Sequence, residues 1–314
     1  MYNPEWKMKF ISEFTRDVDL AKMAHYTFEA TEPFEIKFKK DVCTFSVEEM
    51  QEAADAVLPV RSKSKGTRKN ILREYARWAL CYGVRGAKVT IDKVGVLGLE
   101  KMREQTFSSP RSFAKYLDAI FRPVEERTKD DILRGFLWMI YMGIEREDCG
   151  KIDRGDVSFY DMAISFGGIK YEIYREASPV FHNLVNLKSF SFDHGNYTAE
   201  RERVPGTQLL RGIRTEFSLK SYSVEISGKV SKAINAGLVK EPLNTRRFAM
   251  CGKFYRVLEM ELDGIPPNFS DVAAREYTNR RHPGKSEEQL RALQISAVNG
   301  YLDDYHRWKV AHGI

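Results

Sequence analysis

The sequence predicts a mainly α-helical chain with a small β-hairpin or sheet, an α+β protein of two domains, and three observations carry that expectation. Its 314 residues exceed what a single hydrophobic core usually organises. Apolar residues recur at three- and four-residue steps over most of the length, as the buried stripe of a helix requires. Between Val157 and Tyr174 the period changes to β-rich runs split by Gly167-Gly168, a two-residue hairpin signal.

Taken in order, Trp6 to Phe14 predict a short helix, followed by an arm, with no clear period from Pro33 to Phe45. Ser46 and Glu49 form a capping box, in which the hydroxyl accepts the third helical N–H and the carboxylate reaches back. The helix it opens runs through Met50, Ala54 and Val57 and ends before Pro59. Arg61 to Thr67 is polar and contains Gly66, which predicts a loop, and a second helix follows from Arg68 to Tyr82 with Gly83 as its stop. Ile71, Leu72, Tyr75, Trp78 and Ala79 lie on one line of that helix and are assigned to packing. Lys69, Arg73 and Arg77 lie on another at i, i+4 and i+8. Like charges so spaced repel by a few tenths of a kcal/mol per pair, roughly, a cost that phosphates opposite the line would offset.

Lys101 to Ser109 predicts a linker and a boundary near 105, giving domains 1–105 and 106–314. Pro110 after Ser109 opens a helix through Phe113, Leu117, Ile120 and Phe121. Ile132, Leu133, Phe136, Leu137, Ile140 and Tyr141 form the next, ending at Gly143. Val157–Phe166 and Ile169–Tyr174 are the predicted strands, with a helical segment from Phe181 to Leu187 after Pro179. Ser189 to Gly206 predicts a loop, and Ser221 to Ala236 a helix capped by Gly237. The remainder is expected to be helical, with breaks at 264–267 and 282–284.

Hydrophobic residues at 43%, charged residues at 30% and a mean hydropathy of -0.44 describe a soluble chain. The longest nearly apolar run, Phe136 to Ile144, is too short for a bilayer. The start lacks a basic segment followed by an apolar one, and Cys43, Cys81, Cys149 and Cys251 have neither metal nor redox spacing. A cytoplasmic location with free thiols is expected. The net charge of +6 is concentrated. Residues 61–88 hold nine Lys/Arg against one Glu, and 205–256 hold ten against three, leaving the rest of the chain acidic. Such blocks are either solvated faces or a surface for a polyanion.

Neither a P-loop nor a dinucleotide-binding glycine string occurs, and G-x-S-x-G is absent. His25, His182, His194, His282, His306 and His312 show no ligand spacing. No cofactor and no metal are therefore expected.

The order helix, helix, Gly143 to Val157, hairpin, Ser178-Pro179-Val180, helix and long basic segment resembles the tyrosine recombinase (phage integrase) family. Its pattern G-L-R-x-x-E-L-L-x-L-x-W-x-D-I is met by Gly143, Ile144, Asp148, Ile152, Asp156 and Val157. Gly237 to Ala249 is similar to the segment G-I-x-x-x-T-P-H-D-L-R-H-T-F, with Arg246 at the second catalytic arginine. Ser46 to Arg103 is similar to the helical core-binding domain. The resemblance implies a two-domain clamp around duplex DNA, with one basic block in each domain.

The departures bear on chemistry. The family holds the scissile phosphate with two arginines, assists proton transfer with a hairpin Lys and a His, and attacks with a C-terminal Tyr. Glu145 stands at the first arginine, eleven residues before Asp156. Losing one such transition-state donor costs on the order of 10²–10³ in rate. Arg146 is one residue out of register, roughly 100° away on a helix. Leu243 replaces the His, Lys170 is near the hairpin lysine, and Tyr301 and Tyr305 are candidate nucleophiles or ordinary helix residues.

The resemblance thus implies a sequence-specific double-stranded DNA-binding regulator without strand transfer, similar to the recombinase-fold repressors of SPβ-like prophages. The rival is a divergent active recombinase that uses Arg146 and Arg246 with Tyr301 or Tyr305. A third reading, protein interaction alone, applies if neither basic block binds DNA. Expected DNA contacts are Lys63, Lys65, Arg68, Lys69, Arg73 and Arg77 in the first block. In the second they are Arg211, Arg214, Lys220, Lys229, Lys232, Arg246 and Arg247. The resemblance further implies association with the nucleoid of a bacterial host cell, oligomerisation on DNA, and release by a small phage protein or peptide antagonist.

Overall fold

The computed structural model describes residues 3–58, 62–95, 99–121, 130–193, 198–211, 218–240, 245–278 and 282–314. Among them are twelve α-helices and two small antiparallel sheets. The mainly helical α+β class read from the sequence is the class found. Two compact units make up the chain: Met1–Glu104 with Asn268–Ile314, and Gln105–Pro267.

The first unit begins with α1 (Pro4–Phe14) and α2 (Val18–Phe38). Residues 18–38 were expected as an arm and are instead a long helix. Asp17 caps it by accepting the N–H groups of Asp19 and Leu20. Its inward line is Ala24, Thr27, Phe28, Thr31 and Glu35, and the polar members of that line are what conceal the period. Glu35 is buried because Lys7 of α1 is buried against it, each fully removed from solvent. The same carboxylate accepts the Val42 N–H at 2.9 Å. Burial nevertheless pushes the Glu35 carboxyl above its ordinary range, against the pull of Lys7.

Next come α3 (Val47–Val57), which has the predicted capping box at Ser46 and Glu49, and α4 (Ser62–Cys81). The loop expected over 61–67 is corrected, since helix begins at Ser62. Residues 62–67 contain no apolar residue, so their composition reads as loop although their backbone is helical. Farther along α4, Ile71, Leu72, Tyr75 and Ala79 are buried with Phe10, Phe28 and Phe45, as the period required. Tyr75 donates to Asp41 at 3.0 Å, which supplies its buried hydroxyl with a partner. The expected linker over 101–109 is also partly helical: α5 (Leu99–Gln105) is anchored by the buried Met102, its one apolar residue past Leu99.

In the second unit, α6 (Pro110–Ile120) starts at Ser109 as predicted, and α7 (Asp130–Met142) is buried along its whole length. Helices pack around it closely enough to demand glycine at the contacts. A Cβ on Gly252 would lie 1.7 Å from the Tyr141 carbonyl oxygen, and one on Gly135 would lie 2.4 Å from Leu184. The predicted hairpin resolves into three antiparallel strands, β1 (Val157–Ser158), β2 (Ala163–Phe166) and β3 (Ile169–Glu172), with Gly167-Gly168 between the last two. After α8 (Ser178–Asn186), the stretch expected as loop forms a second hairpin, β4 (Ser189–Asp193) with β5 (Thr198–Glu202). Ser-Phe-Ser-Phe over 189–192 carries the alternation of a half-buried strand, and Phe190 is its buried member. The unit closes with α9 (Leu219–Asn235) and α10 (Thr245–Leu262).

Finally α11 (Ser270–Glu276) and α12 (Glu287–His312) group with the first unit, where the sequence reading kept them with the second. Tyr305, Trp308 and Ala311 of α12 are buried, and Arg103 of α5 caps its end by donating to the Ala311 carbonyl at 2.7 Å. Among the described residues no helix is long and apolar enough to cross a membrane.

Candidate nucleic-acid interface

In the first unit α4 carries the basic line, and the structure shows what offsets its self-repulsion. Arg73 grips Asp92 with two nitrogens, at 2.8 Å from Nε and 2.6 Å from Nη2. Arg77 pairs with Glu74 at 2.8 Å. The Arg73 guanidinium holds the Asp92 carboxyl below its usual range, with Lys69 and Arg77 adding to the pull, and Asp92 in turn raises Arg73. One carboxylate from the loop after α4 therefore faces three cations spaced a turn apart. Such partly exposed pairs stabilise by about 1 kcal/mol or less, so phosphates can replace them at small cost. Arg68 is less available: it is half-buried, donates to the Val57 carbonyl at 2.9 Å, and is lowered by burial. The side chains of Lys63 and Lys65 lie outside the described residues.

The second block separates into exposed and committed cations. Lys220 and Lys232 on α9 and Arg246 on α10 are exposed and make no ion pair among the described residues. Lys229 is committed, bound to Asp130 at the start of α7 at 2.8 Å and lying over the Phe121 ring. Arg247 is half-buried, and Arg214 lies outside the described residues. Arg211 is only 6% exposed and ties down its own loop, giving Nε to the Val204 carbonyl and Nη1 to that of Gln208. Behind it is Arg203, which the sequence reading did not single out. Its guanidinium is buried and donates to the carbonyls of Leu184, Leu187, Leu209 and Arg211. Burial first, then Arg211 and Arg154, brings it down to about 10. Nothing in the sequence marks this arginine as structural, because its partners are backbone atoms.

The positions that the integrase pattern uses for strand transfer fall on both units. Glu145 follows the end of α7, half-buried, with its carbonyl accepting the N–H groups of Asp148 and Cys149. Arg146 points to Glu147 at 3.0 Å in solvent. Lys170 is exposed on β3 opposite Ser165. Leu243 lies outside the described residues. Tyr301 and Tyr305 are on α12 in the first unit, whereas Arg246 and Lys170 are in the second. The Tyr301 hydroxyl donates to Glu276 of α11, and the Tyr305 ring is fully buried against Phe269 and Trp308. Arg256, also not anticipated, donates to the Tyr141 carbonyl at 2.8 Å and lies against Gly143, where a Cβ would come 2.7 Å from its Nη2 and where the φ of +100° also favours glycine. Among the described residues no group of three or more His, Cys, Asp or Glu could hold a metal ion.

Residues 1–81, α1 through the end of α4, match the family model described as MrpR, N-terminal core-binding domain. A tyrosine-recombinase-like core-binding domain is present. The match ends where α4 ends, so it includes the basic line of Lys69, Arg73 and Arg77 together with the core beneath it. It supports the recombinase fold family and a DNA-binding role for this part of the chain. No curated protein matches the chain.

Proposed function

We propose that this chain is a sequence-specific double-stranded DNA-binding transcriptional regulator, a phage repressor of lysogeny, that keeps recombinase architecture without strand-transfer chemistry. The observation that carries the proposal is a core-binding domain in a chain that has Glu145 where the integrase pattern clamps the scissile phosphate. A carboxylate there repels the phosphate that an arginine would hold. The engagement of Tyr301 by Glu276 and the burial of Tyr305 support the same reading. In this account DNA is gripped by phosphate contacts from Lys69, Arg73 and Arg77 in one unit and from Lys220, Lys232 and Arg246 in the other. Phosphate contacts set register, and base discrimination comes from groove contacts beyond them. The protein assembles as an oligomer on its operator, and a small phage protein or peptide antagonist releases it.

The test is duplex affinity as a function of salt. Fragments of the source genome retained by the protein supply the duplex, and fluorescence anisotropy reads binding between 50 and 200 mM KCl. The double variant Lys232→Gln, Arg246→Gln is expected to bind more weakly, with a salt slope shallower by about 0.9 for each phosphate that is no longer neutralised. Wild-type affinity that is absent or insensitive to salt would contradict the proposal and favour a protein-interaction role.

A further inference from the structure

We infer that Arg154 and Arg211 form a binding site for one phosphate group, built on the turn over Val204 to Gln208 that follows β5 in the second unit. Four observations converge on it. Arg154 donates from Nη2 to the Gly206 carbonyl at 3.2 Å, and this is its one side-chain hydrogen bond among the described residues. Arg211 gives Nε and Nη1 to the Val204 and Gln208 carbonyls on either side of that same glycine. Its third nitrogen, Nη2, makes no hydrogen bond among the described residues. The two guanidiniums therefore meet over Val204 to Gln208 with Nε and Nη1 of Arg154 and Nη2 of Arg211 still able to donate.

The turn beneath them is rigid. It is tied to residues 152–154 by the Arg154 N–H on the Thr207 carbonyl at 2.9 Å and the Leu209 N–H on the Ile152 carbonyl at 2.7 Å. The Thr207 hydroxyl donates to Asp153 at 2.8 Å, and Asp156 accepts the Asp153 N–H, so the turn engages Asp153 and residues 153–156 engage Asp156. No carboxylate forms an ion pair with Arg154, Arg203 or Arg211 among the described residues. Three guanidiniums thus lie together with backbone carbonyls as their hydrogen-bond acceptors. Their mutual repulsion lowers Arg203 and Arg211, after burial. Gly206, at a φ of +143°, brings the backbone within reach of Arg211, and a Cβ there would meet its Cδ at 3.7 Å. An anion with several acceptor oxygens matches this arrangement, and preset arginine forks suit phosphate better than a monatomic ion.

The occupant is a phosphate of the DNA backbone, and in this the inference rests on the proposed DNA-binding function. Free inorganic phosphate offers the same chemistry, so both are probes. Arg154→Gln is the variant, because Arg154 supports the turn through one bond at its edge, and an unchanged thermal midpoint verifies its fold. Arg154→Gln is expected to lower affinity for the retained genomic duplex about tenfold and to make the salt slope shallower by about 0.9. Isothermal titration with inorganic phosphate at matched ionic strength is expected to detect binding to wild type and not to the variant. A variant that binds both duplex, with the same slope, and phosphate as wild type does overturns the inference and leaves the DNA-binding function standing. If duplex binding is unaffected but phosphate binding is lost, the site serves free phosphate and its assignment to DNA is overturned. A wild type that takes up phosphate but no duplex keeps the anion site and removes the DNA-binding function. Wild type binding neither probe overturns both.

Discussion

Lys7→Met lowers the stability of the first unit by about 3–5 kcal/mol at neutral pH, and part of that loss is regained on acidification. Lys7 and Glu35 are both fully buried, so removing the cation leaves a carboxylate where water cannot reach it. The Val42 N–H remains on Glu35 but does not supply the missing charge. The pH dependence follows from the direction of the shift. Burial already raises the Glu35 carboxyl in the folded protein, and removing Lys7 raises it further. A group whose folded value is raised stabilises the fold below its unfolded value, and that stabilisation is lost as pH rises through the folded value. The gap between variant and wild type should therefore be widest near pH 7–8 and narrow toward pH 5. Urea unfolding at these pH values, with hydrogen exchange to assign the loss to residues 3–58, is the measurement. A gap of the same size at every pH would contradict this account of the pair.

Arg203→Met destabilises the second unit by about 4 kcal/mol. Four carbonyls, from Leu184, Leu187, Leu209 and Arg211, share one guanidinium, and a thioether can donate to none of them. These acceptors come from the end of α8 and the turn after β5, so the arginine holds the second hairpin to the body of the unit. Arg203→Lys keeps the charge but replaces a planar fork with a single ammonium, and it should recover the smaller part of the loss. Faster amide exchange confined to residues 184–211 would locate the effect. Full recovery by lysine would mean that charge, not the fork, does the holding.

Both pairs mark where the sequence stopped being legible. Elements with an apolar stripe and an end signal were readable: α3 from its capping box, α6 from Ser109-Pro110, α7 from its aliphatic run to Gly143, and the first hairpin from Gly167-Gly168. What concealed α2 was the use of Thr27, Thr31 and Glu35 as inward residues, because a polar side chain on the buried face erases the period. The start of α4 was concealed by its composition, since residues 62–67 include no apolar residue to set a period. For the candidate interface, the sequence located the basic residues along the chain but could not separate exposed from committed ones. Arg73 and Lys229 have acidic partners distant in the chain, Asp92 and Asp130, and Arg211 spends two donors on its own loop. Such pairings depend on tertiary structure, and no spacing rule reports them.

The measurement that bears most directly on the central claim is how bound DNA is released. Purified protein is incubated with fragmented source genome, and the retained material is divided between a native high-salt wash and a denaturing wash. The account predicts that both washes release the same fragments, that these map to several related promoter-like sites, and that Tyr301→Phe changes nothing. Fragments that survive denaturant at one junction, and are absent with Tyr301→Phe or Tyr305→Phe, would show a phosphotyrosine link and an active recombinase despite Glu145.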